Sequence, residues 1–426
     1  MIEKFLVILI ILLPLQFALN IGENFDLVTT RILIPVIFLF WIARSLARRE
    51  IWIPNRAEMW LVISFLFLST LSLVLGRDAN AGVRKLIFLL SIFPVFFVAA
   101  DIFREEKWRQ RGVIAVMVSG SVAAVIALAQ FSLPYFVGVA KAVRVWEGFA
   151  PYFLGKSFGE LVAANSSWLV NIGGETRMRA FGFFPDPHNF AFFANLCLFS
   201  GLGYFSCKNG KYSSKFLISA GVAAVFGAVI LSFSRGAYLG LIAGLLFFAV
   251  IYLKRAEILG KAAIITCLVL VIAFSFNSKV ISQRFMSSFN LKEGSNAERY
   301  KNWAQAAQTI RDYPLGGVGL GNYARSVDPR AGERSSIYAH NLFLDIAAET
   351  GVLNVVVFLL LIFFSVRRNV LIGDMPGLGI AAGLVGFSVH SIFDTALWSP
   401  QVMTLLLVII ALGLNDNLKF KNKNSK

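Results

Sequence analysis

Charge is scarce in this chain, and acidic charge is the scarcest. Only 15% of the 426 residues are Asp, Glu, Lys or Arg, and 24 acidic residues stand against 40 Lys and Arg. By contrast, 57% of the residues are hydrophobic and 41 are Phe. A water-soluble domain cannot bury so much apolar surface, so lipid must cover much of it. The net charge is +16, but the basic residues do not form a stripe on a soluble domain. Nucleic acid is therefore not an expected partner.

Cysteine and histidine are also rare, with three residues of each. Cys197, Cys207 and Cys267 lie in or at the ends of apolar runs, without CxxC spacing, and are interpreted as small apolar residues. The connections expected on the outer side of the membrane carry no D-x-D motif and no cluster of His and carboxylates at metal-ligand spacing. The sequence therefore favours chemistry without a metal or another cofactor.

The apolar residues fall into about twelve segments that are long enough, or nearly so, to cross a bilayer as helices. They are residues 5–20, 28–43, 57–75, 84–101, 112–133, 188–206, 216–233, 236–253, 261–277, 342–365, 377–397 and 401–414. The predicted fold is an all-α polytopic membrane protein, in which residues 1–426 form a single membrane domain. An even number of spans places both termini on one side.

Basic residues in the connections predict the orientation. Those on the side of the termini include Lys4, Arg44, Arg48, Arg49, Arg56, Arg104, Lys107, Arg109, Arg111, Lys208, Lys211, Lys215, Lys254, Arg255, Lys261, Arg367, Arg368 and the lysines of the tail. The opposite short connections carry only Arg31, Arg77, Arg84, Lys85 and Arg235. The positive-inside rule then predicts cytoplasmic termini. In a bacterium, the location is the inner membrane and the opposite side is the periplasm.

Two longer connections are predicted on the periplasmic side. Residues 134–187 contain many aromatic residues and predict either an amphipathic helix at the lipid headgroups or a packed cap over the second loop. Residues 278–341, between the ninth and tenth spans, hold nine basic and five acidic residues and so attract anions. Within them, Ser295 and Glu298 have capping-box spacing, and a helix with one apolar face should end at Pro314. The glycine-rich turn 315–323 that follows can approach another surface closely.

Individual polar residues at the outer ends of spans are candidates for chemistry. Arg235 lies in the very short connection between the seventh and eighth spans, where it either snorkels to lipid phosphates or holds a pyrophosphate bidentately. His340 lies where the basic loop meets the tenth span and is a plausible proton acceptor. His188 begins the sixth span on the same side and has either a structural role or a place in the same cavity. For His390, inside the eleventh span, a buried hydrogen bond to Asp394 is expected.

Several short motifs resemble the O-antigen ligase and O-antigen polymerase superfamily of bacterial inner-membrane glycosyltransferases. They are Ser234-Arg235-Gly236-Ala237, Arg299 ahead of Trp303, Tyr313-Pro314-Leu315-Gly316-Gly317-Val318-Gly319, and His340-Asn341 followed by Gly351. Asn354 departs from the family motif, which more often has Gly, Thr or Tyr at that place. The motifs span roughly the second half of the chain, and the topology is similar over the whole chain.

The resemblance implies transfer of a glycan from undecaprenyl diphosphate onto a sugar hydroxyl, without ATP or a metal. His340 matches the general base, and Arg235 matches an arginine that holds the diphosphate. Arg299 is matched to the loop arginine with the same role, with Arg284 as the second choice. His188, Asn189 and Asn341 are expected to line the site. Direct attack by the acceptor would invert the anomeric carbon.

The acceptor separates the alternatives that remain open. In a ligase it is the lipid A-core oligosaccharide, and in a polymerase it is another lipid-linked repeat unit. Chain length and a single main loop favour the ligase. A protein O-oligosaccharyltransferase of the same superfamily usually has a longer C-terminal region. A transporter of the same lipid is a further alternative, which the absence of paired broken spans disfavours.

Overall fold

The computed structural model describes residues 1–22, 25–164, 167–206, 212–254, 279–286, 294–332 and 337–414. This part of the chain is mostly helical. The helices are α1 Ile2–Leu12, α2 Thr29–Ala47, α3 Ala57–Leu71, α4 Ala79–Ile92, α5 Pro94–Ile102, α6 Glu106–Val137, α7 Val139–Leu154, α8 Lys156–Ala164, α9 Pro187–Phe205, α10 Tyr212–Leu231, α11 Arg235–Leu253, α12 Lys279–Met286, α13 Gly294–Asp312, α14 Tyr323–Val327, α15 Leu342–Thr350, α16 Val352–Ile372, α17 Met375–His390 and α18 Pro400–Leu412.

Two short antiparallel hairpins, which the sequence did not predict, interrupt the helices. Strands β1 (Ala18–Gly22) and β2 (Phe25–Val28) form the first hairpin, and β3 (Leu169–Ile172) and β4 (Glu175–Met178) form the second. Each strand has only four or five residues, so neither hairpin forms a layer of its own. The architecture is that of an all-α membrane protein.

Six helical stretches of the described residues are long and apolar enough to cross a membrane: Thr29–Ala47, Ala57–Leu75, Ala79–Ile102, Glu106–Val137, Arg235–Leu253 and Val352–Ile372. Three shorter apolar helices cover Phe216–Leu231, Met375–His390 and Pro400–Leu412. The predicted span 261–277 and the lysine tail lie outside the described residues. The total of about twelve spans stays a prediction.

Some predicted spans are divided in the structure. Residues 5–20 do not form one helix, because α1 ends at Leu12, a 3-10 turn that contains Pro14 follows, and β1 begins at Ala18. The segment 342–365 is divided at Gly351 into the short α15 and the long α16. Residues 391–397 of the predicted span 377–397 are not helical, because α17 ends at His390. The last of these breaks leaves Asp394, described below, in a turn outside the helix.

The buried core lies between central helices, and outer helices face lipid. In α18, every residue from Gln401 to Leu412 is buried. The outer helix α16 instead exposes Leu353, Val356, Leu360 and Phe363, which recur at helical spacing. An apolar stripe of this kind on a helix of 21 residues suits the hydrocarbon of a bilayer.

Helix α17 is fixed tightly against α11, its neighbour in the centre of the bundle. A Cβ atom added at Gly240 would lie 2.5 Å from the carbonyl oxygen of Gly386, and one added at Gly386 would lie 2.7 Å from that of Gly240. Small residues at such crossings let membrane helices approach closely. This contact positions the end of α17 beside the beginning of α11, where the site residues lie.

The two outer intervals, residues 134–187 and 278–341, both contain helices, and the side of the membrane on which they lie stays a prediction. In residues 134–187, α7 buries Trp146 and Phe153 but exposes Phe149 and Tyr152. This helix therefore both packs on the bundle and presents aromatic rings outward. In residues 278–341, α13 begins at Gly294 and ends at Asp312, close to Pro314. The Ser295 side chain of the predicted capping box lies outside what the structure describes.

Candidate functional site

His340 lies in an unusual backbone conformation immediately before α15. Its φ angle is +51°, in the left-handed region that a residue with a Cβ rarely adopts. Hydrogen bonds on both sides hold it there. The Ala339 N–H donates to Asp345 Oδ1 at 2.8 Å, and the Leu342 N–H donates to the Ser391 carbonyl at 2.9 Å. Strain that neighbouring contacts maintain in this way is common at functional sites.

Asn341 has a structural role beside His340. Its side-chain oxygen accepts the N–H groups of Phe343 at 3.0 Å and Leu344 at 3.1 Å, and so caps the N-terminus of α15. The residue is buried. The structure thus shows Asn341 fixing the helix that follows His340.

One buried carboxylate, that of Asp394, joins three of the polar side chains. Its Oδ1 lies 3.3 Å from Nδ1 of His340. Its Oδ2 lies 2.8 Å from Nδ1 of His188 and 3.2 Å from a terminal nitrogen of Arg299. Asp394 comes from the turn that follows α17, so three separate parts of the chain meet at this carboxylate.

The expected hydrogen bond between His390 and Asp394 is not formed, and that prediction was wrong. Neither ring nitrogen of His390 has a hydrogen-bond partner among the described residues. The ring instead stacks on Phe192 at 3.6 Å between centroids. Helix α17 ends at His390, and the turn after it directs Asp394 towards His340, His188 and Arg299 instead.

His188 is at the second position of α9 and links Asp394 to the beginning of α11. Its Nδ1 also lies 2.9 Å from Oγ of Ser234, the N-cap residue of α11. Asp186 caps α9 by accepting the N–H groups of His188 and Asn189, both at 2.8 Å. The Asn189 amide donates to the same Asp186 side chain. Its oxygen has no partner among the described residues.

Arg235 and Arg299 line one cleft. The complete lining is Arg235, Gly236, Leu239, Asn296, Arg299, Tyr300, Trp303 and Phe393. We call this set the arginine cleft. Arg235 is the first residue of α11 and is only 5% exposed, whereas Arg299 projects from α13. The structure thus brings together the two arginines that the sequence matched to diphosphate binding.

Arg284 supports the short turn before α11 instead of lining the cleft. Its Nε donates to the carbonyl oxygen of Phe233 at 3.1 Å, and Phe233 has a φ of +50°. Arg179, which the sequence analysis did not single out, donates from Nε to the Ser232 carbonyl at 2.8 Å. Two guanidinium groups therefore fix the backbone immediately before Arg235. Their positive charge also adds to the attraction for an anion.

The electrostatics of the cluster define the protonation states. Burial alone would raise the pKa of the Asp394 carboxyl, but His188, His340 and Arg299 together hold it well below its usual range. The hydrogen bond to this carboxylate raises the pKa of His340, against the opposing effects of burial and of Arg299. Because Nδ1 of His340 faces the carboxylate, Nδ1 carries the proton and Nε2 is the basic nitrogen.

His188, His390 and Asp394 also place three ligand-type atoms within 4.8 Å of one another, a grouping that spacing in the sequence did not reveal. The fit to a metal ion is poor, because Asp394 Oδ2 already contacts the cationic Arg299 at 3.2 Å. The charge of the carboxylate is therefore balanced by the protein's own groups.

Fold and cluster together define a helical membrane protein with an arginine-lined cleft and a His–Asp pair at one end of its helices. Residues 220–359, about a third of the chain, match the family model described as O-Antigen ligase. The match supports the resemblance of this region to the superfamily of O-antigen ligases and O-antigen polymerases that its motifs indicated. The matched region contains Arg235, Arg284, Arg299 and His340. No curated protein matches the chain.

Proposed function

We propose that this protein transfers a glycan from undecaprenyl diphosphate to a sugar hydroxyl of the lipid A-core oligosaccharide, at the periplasmic face of the bacterial inner membrane. The observation that carries the proposal is the double use of Asp394. The same carboxylate contacts the proposed base, His340, at 3.3 Å and the cleft arginine, Arg299, at 3.2 Å. Acceptor activation and diphosphate binding are thereby coupled in one cluster.

The acceptor hydroxyl is activated by His340. Its Nε2 removes the proton as the oxygen attacks, while Asp394 orients the ring through Nδ1 and stabilises the imidazolium that forms. The raised pKa of His340 strengthens it as a base. Near neutral pH, enough of it must remain neutral to accept the proton.

The leaving group is stabilised by the two guanidinium groups of the arginine cleft, those of Arg235 and Arg299. The bond from the acceptor oxygen to the anomeric carbon forms as the bond from that carbon to the phosphate oxygen breaks, with inversion. Undecaprenyl diphosphate departs with the electron pair. Guanidinium groups can bind its phosphate oxygens bidentately. They are already in place when negative charge develops on the leaving group, and stabilising that charge is the main requirement for catalysis here.

Deletion in the native bacterium tests the function and its acceptor together. For the ligase, gels of lipopolysaccharide should lose every chain attached to the core, while lipid-linked polymer accumulates. Restoring the wild-type chain should reverse the change, and His340→Ala at equal membrane abundance should not. Cores that carry a single repeat unit would instead identify a polymerase, whose acceptor is a second lipid-linked unit.

A reconstituted assay separates transferase from transporter. Purified protein in proteoliposomes receives labelled lipid-linked glycan and lipid A-core acceptor. The proposal requires label on the acceptor in the absence of ATP and divalent ions. Movement of the labelled lipid between leaflets with no change in its attachment would refute it.

A further inference from the structure

The arginine cleft has a second wall that the transfer mechanism does not use. Arg299 and Tyr300 come four and three positions before Trp303 on α13, so each is its neighbour on the helix surface, and all three line the cleft. Tyr300 and Trp303 are in edge-to-face contact with centroids 5.5 Å apart, and Trp303 lies 6.3 Å from Phe393. Three aromatic rings thus continue the surface that begins at the guanidinium of Arg299.

This wall also contains an unused hydrogen-bond donor. The buried Nε1–H of Trp303 has no partner among the described residues. A buried donor without a partner is costly, so this N–H would gain a partner if the ring turned towards a ligand oxygen in the cleft. Asn296, also in the lining, adds an amide one turn earlier on α13. Rings together with polar donors suit a ligand that has an apolar face and hydroxyl groups.

The position of the wall decides between the two ends of a lipid-linked donor. The rings are carried mainly by α13, a polar helix that is not among the described helices able to span a membrane. An isoprenoid chain needs an apolar path into the bilayer. Leu239, also in the lining, is carried by α11, a helix long and apolar enough to span a membrane. The aromatic wall therefore faces the other end of the diphosphate, where the glycan begins.

We propose that Tyr300 and Trp303 bind the sugar that is attached directly to the diphosphate. This inference rests on the proposed function, because it requires a sugar diphosphate in the arginine cleft. The flat C–H face of the sugar lies on the aromatic rings, and a sugar oxygen accepts the Nε1–H of Trp303. Recognition of the donor then depends on its first sugar as well as on its phosphates.

Two ligands test the inference with the full-length protein in lipid nanodiscs. One is undecaprenyl diphosphate, and the other is the same lipid with a single N-acetylhexosamine on the diphosphate. Trp303→Leu should weaken binding of the sugar-bearing lipid by about tenfold and leave undecaprenyl diphosphate unchanged. Trp303→Phe, which keeps a ring but loses the donor, should fall between wild type and Trp303→Leu. Trp60→Leu, at a tryptophan that is 60% exposed on α3, is the matched control and should change neither.

The outcomes are distinguishable from failure of the proposed function. Equal weakening of both lipids by the Trp303 variants would overturn the inference, as would no weakening of either. Arg235→Lys should weaken both lipids, because it acts on the shared diphosphate. If wild-type protein bound neither lipid, the proposed function itself would fall. Trp303→Phe keeps the test decisive if Trp303→Leu does not fold.

Discussion

At the scale of single residues, Asp394 organises the site. It is the only acidic residue in the predicted span 377–397, and it contacts two imidazoles and one guanidinium. A carboxylate in this position contacts the proposed base, His340, balances the charge of Arg299 and fixes His188. An Asp394→Asn substitution removes the charge but keeps the shape of the side chain. It therefore distinguishes these electrostatic roles from a contribution to packing.

Asp394→Asn should lower the maximal rate of transfer by at least about tenfold, since the imidazolium of His340 loses its counter-charge. Asp394 raises the pKa of His340, so its neutralisation should lower that pKa. The acidic limb of the pH–rate profile should then move to lower pH, because His340 stays neutral in more acidic solution. Asp374→Asn is the control. This carboxylate also caps a helix and pairs with an arginine, Arg109, at 2.9 Å, but it lies at the other end of α17 from Asp394. An unshifted acidic limb in Asp394→Asn would refute the role given to this residue.

Arg299→Lys should raise the KM for the lipid-linked donor and lower kcat/KM by at least about tenfold, because an ammonium group cannot bind two phosphate oxygens side by side. Arg311→Lys is a matched control, since Arg311 is exposed at the end of the same helix. Steady-state kinetics with varied donor measure both. Equal kinetics for the two variants would argue against diphosphate binding by Arg299.

At the scale of elements, the glycine-rich turn 315–322 fastens the second outer interval to the bundle. Val318 N–H donates to the Ala348 carbonyl at 2.9 Å, and the Asp78 N–H donates to the Asn322 side chain at 2.7 Å. Gly319 has a φ of +92°, and a Cβ there would lie 2.4 Å from Cα of Gly76. The turn therefore holds two helices against α4. They are α13, which carries Arg299, and α15, which His340 immediately precedes.

Gly319→Ala should destabilise the protein by about 1–3 kcal/mol from the backbone conformation alone, with a further cost for displacing the Gly76 backbone. Thermal unfolding in detergent should show a lower Tm. Gly332→Ala is the control, because a Cβ at Gly332 meets nothing within 4 Å. If both variants unfolded at the wild-type temperature, the turn would not be a fastening point.

At the scale of the whole molecule, orientation in the membrane determines whether the cluster meets a periplasmic acceptor. Arg330, in the second outer interval, and Arg48, after α2, are both exposed and are predicted to lie on opposite sides. The cluster is at the same end of the helices as α13 and α15. Its side therefore follows from that of the second outer interval.

Labelling of single cysteines with an impermeant maleimide tests this orientation. In a chain from which Cys197, Cys207 and Cys267 have been replaced, Arg330→Cys should react when only the periplasmic face is accessible. Arg48→Cys should react only after the inner membrane is opened. The opposite pattern would place the site in the cytoplasm and exclude the proposed acceptor.

The sequence by itself determined the class of protein and named three residues that the structure places at the candidate site. A chain with 57% hydrophobic residues arranged in long runs has few options other than membrane helices. Arg235, Arg299 and His340 could be named because each lies in a short motif, where neighbouring residues carry the information. The loss of the predicted first span shows the limit, since a local hydropathy pattern did not reveal that α1 would end at Leu12.

Only the tertiary structure decided how these residues work together. Asp394 is 54 residues from His340 and 95 residues from Arg299 in the chain, and their contacts depend on the crossing of α11 with α17 and on the turn after His390. A single acidic residue in an apolar segment was a usable signal, because such groups are costly in a membrane and often functional. The sequence paired it with His390, four residues away, because nearness in the chain was the only distance available.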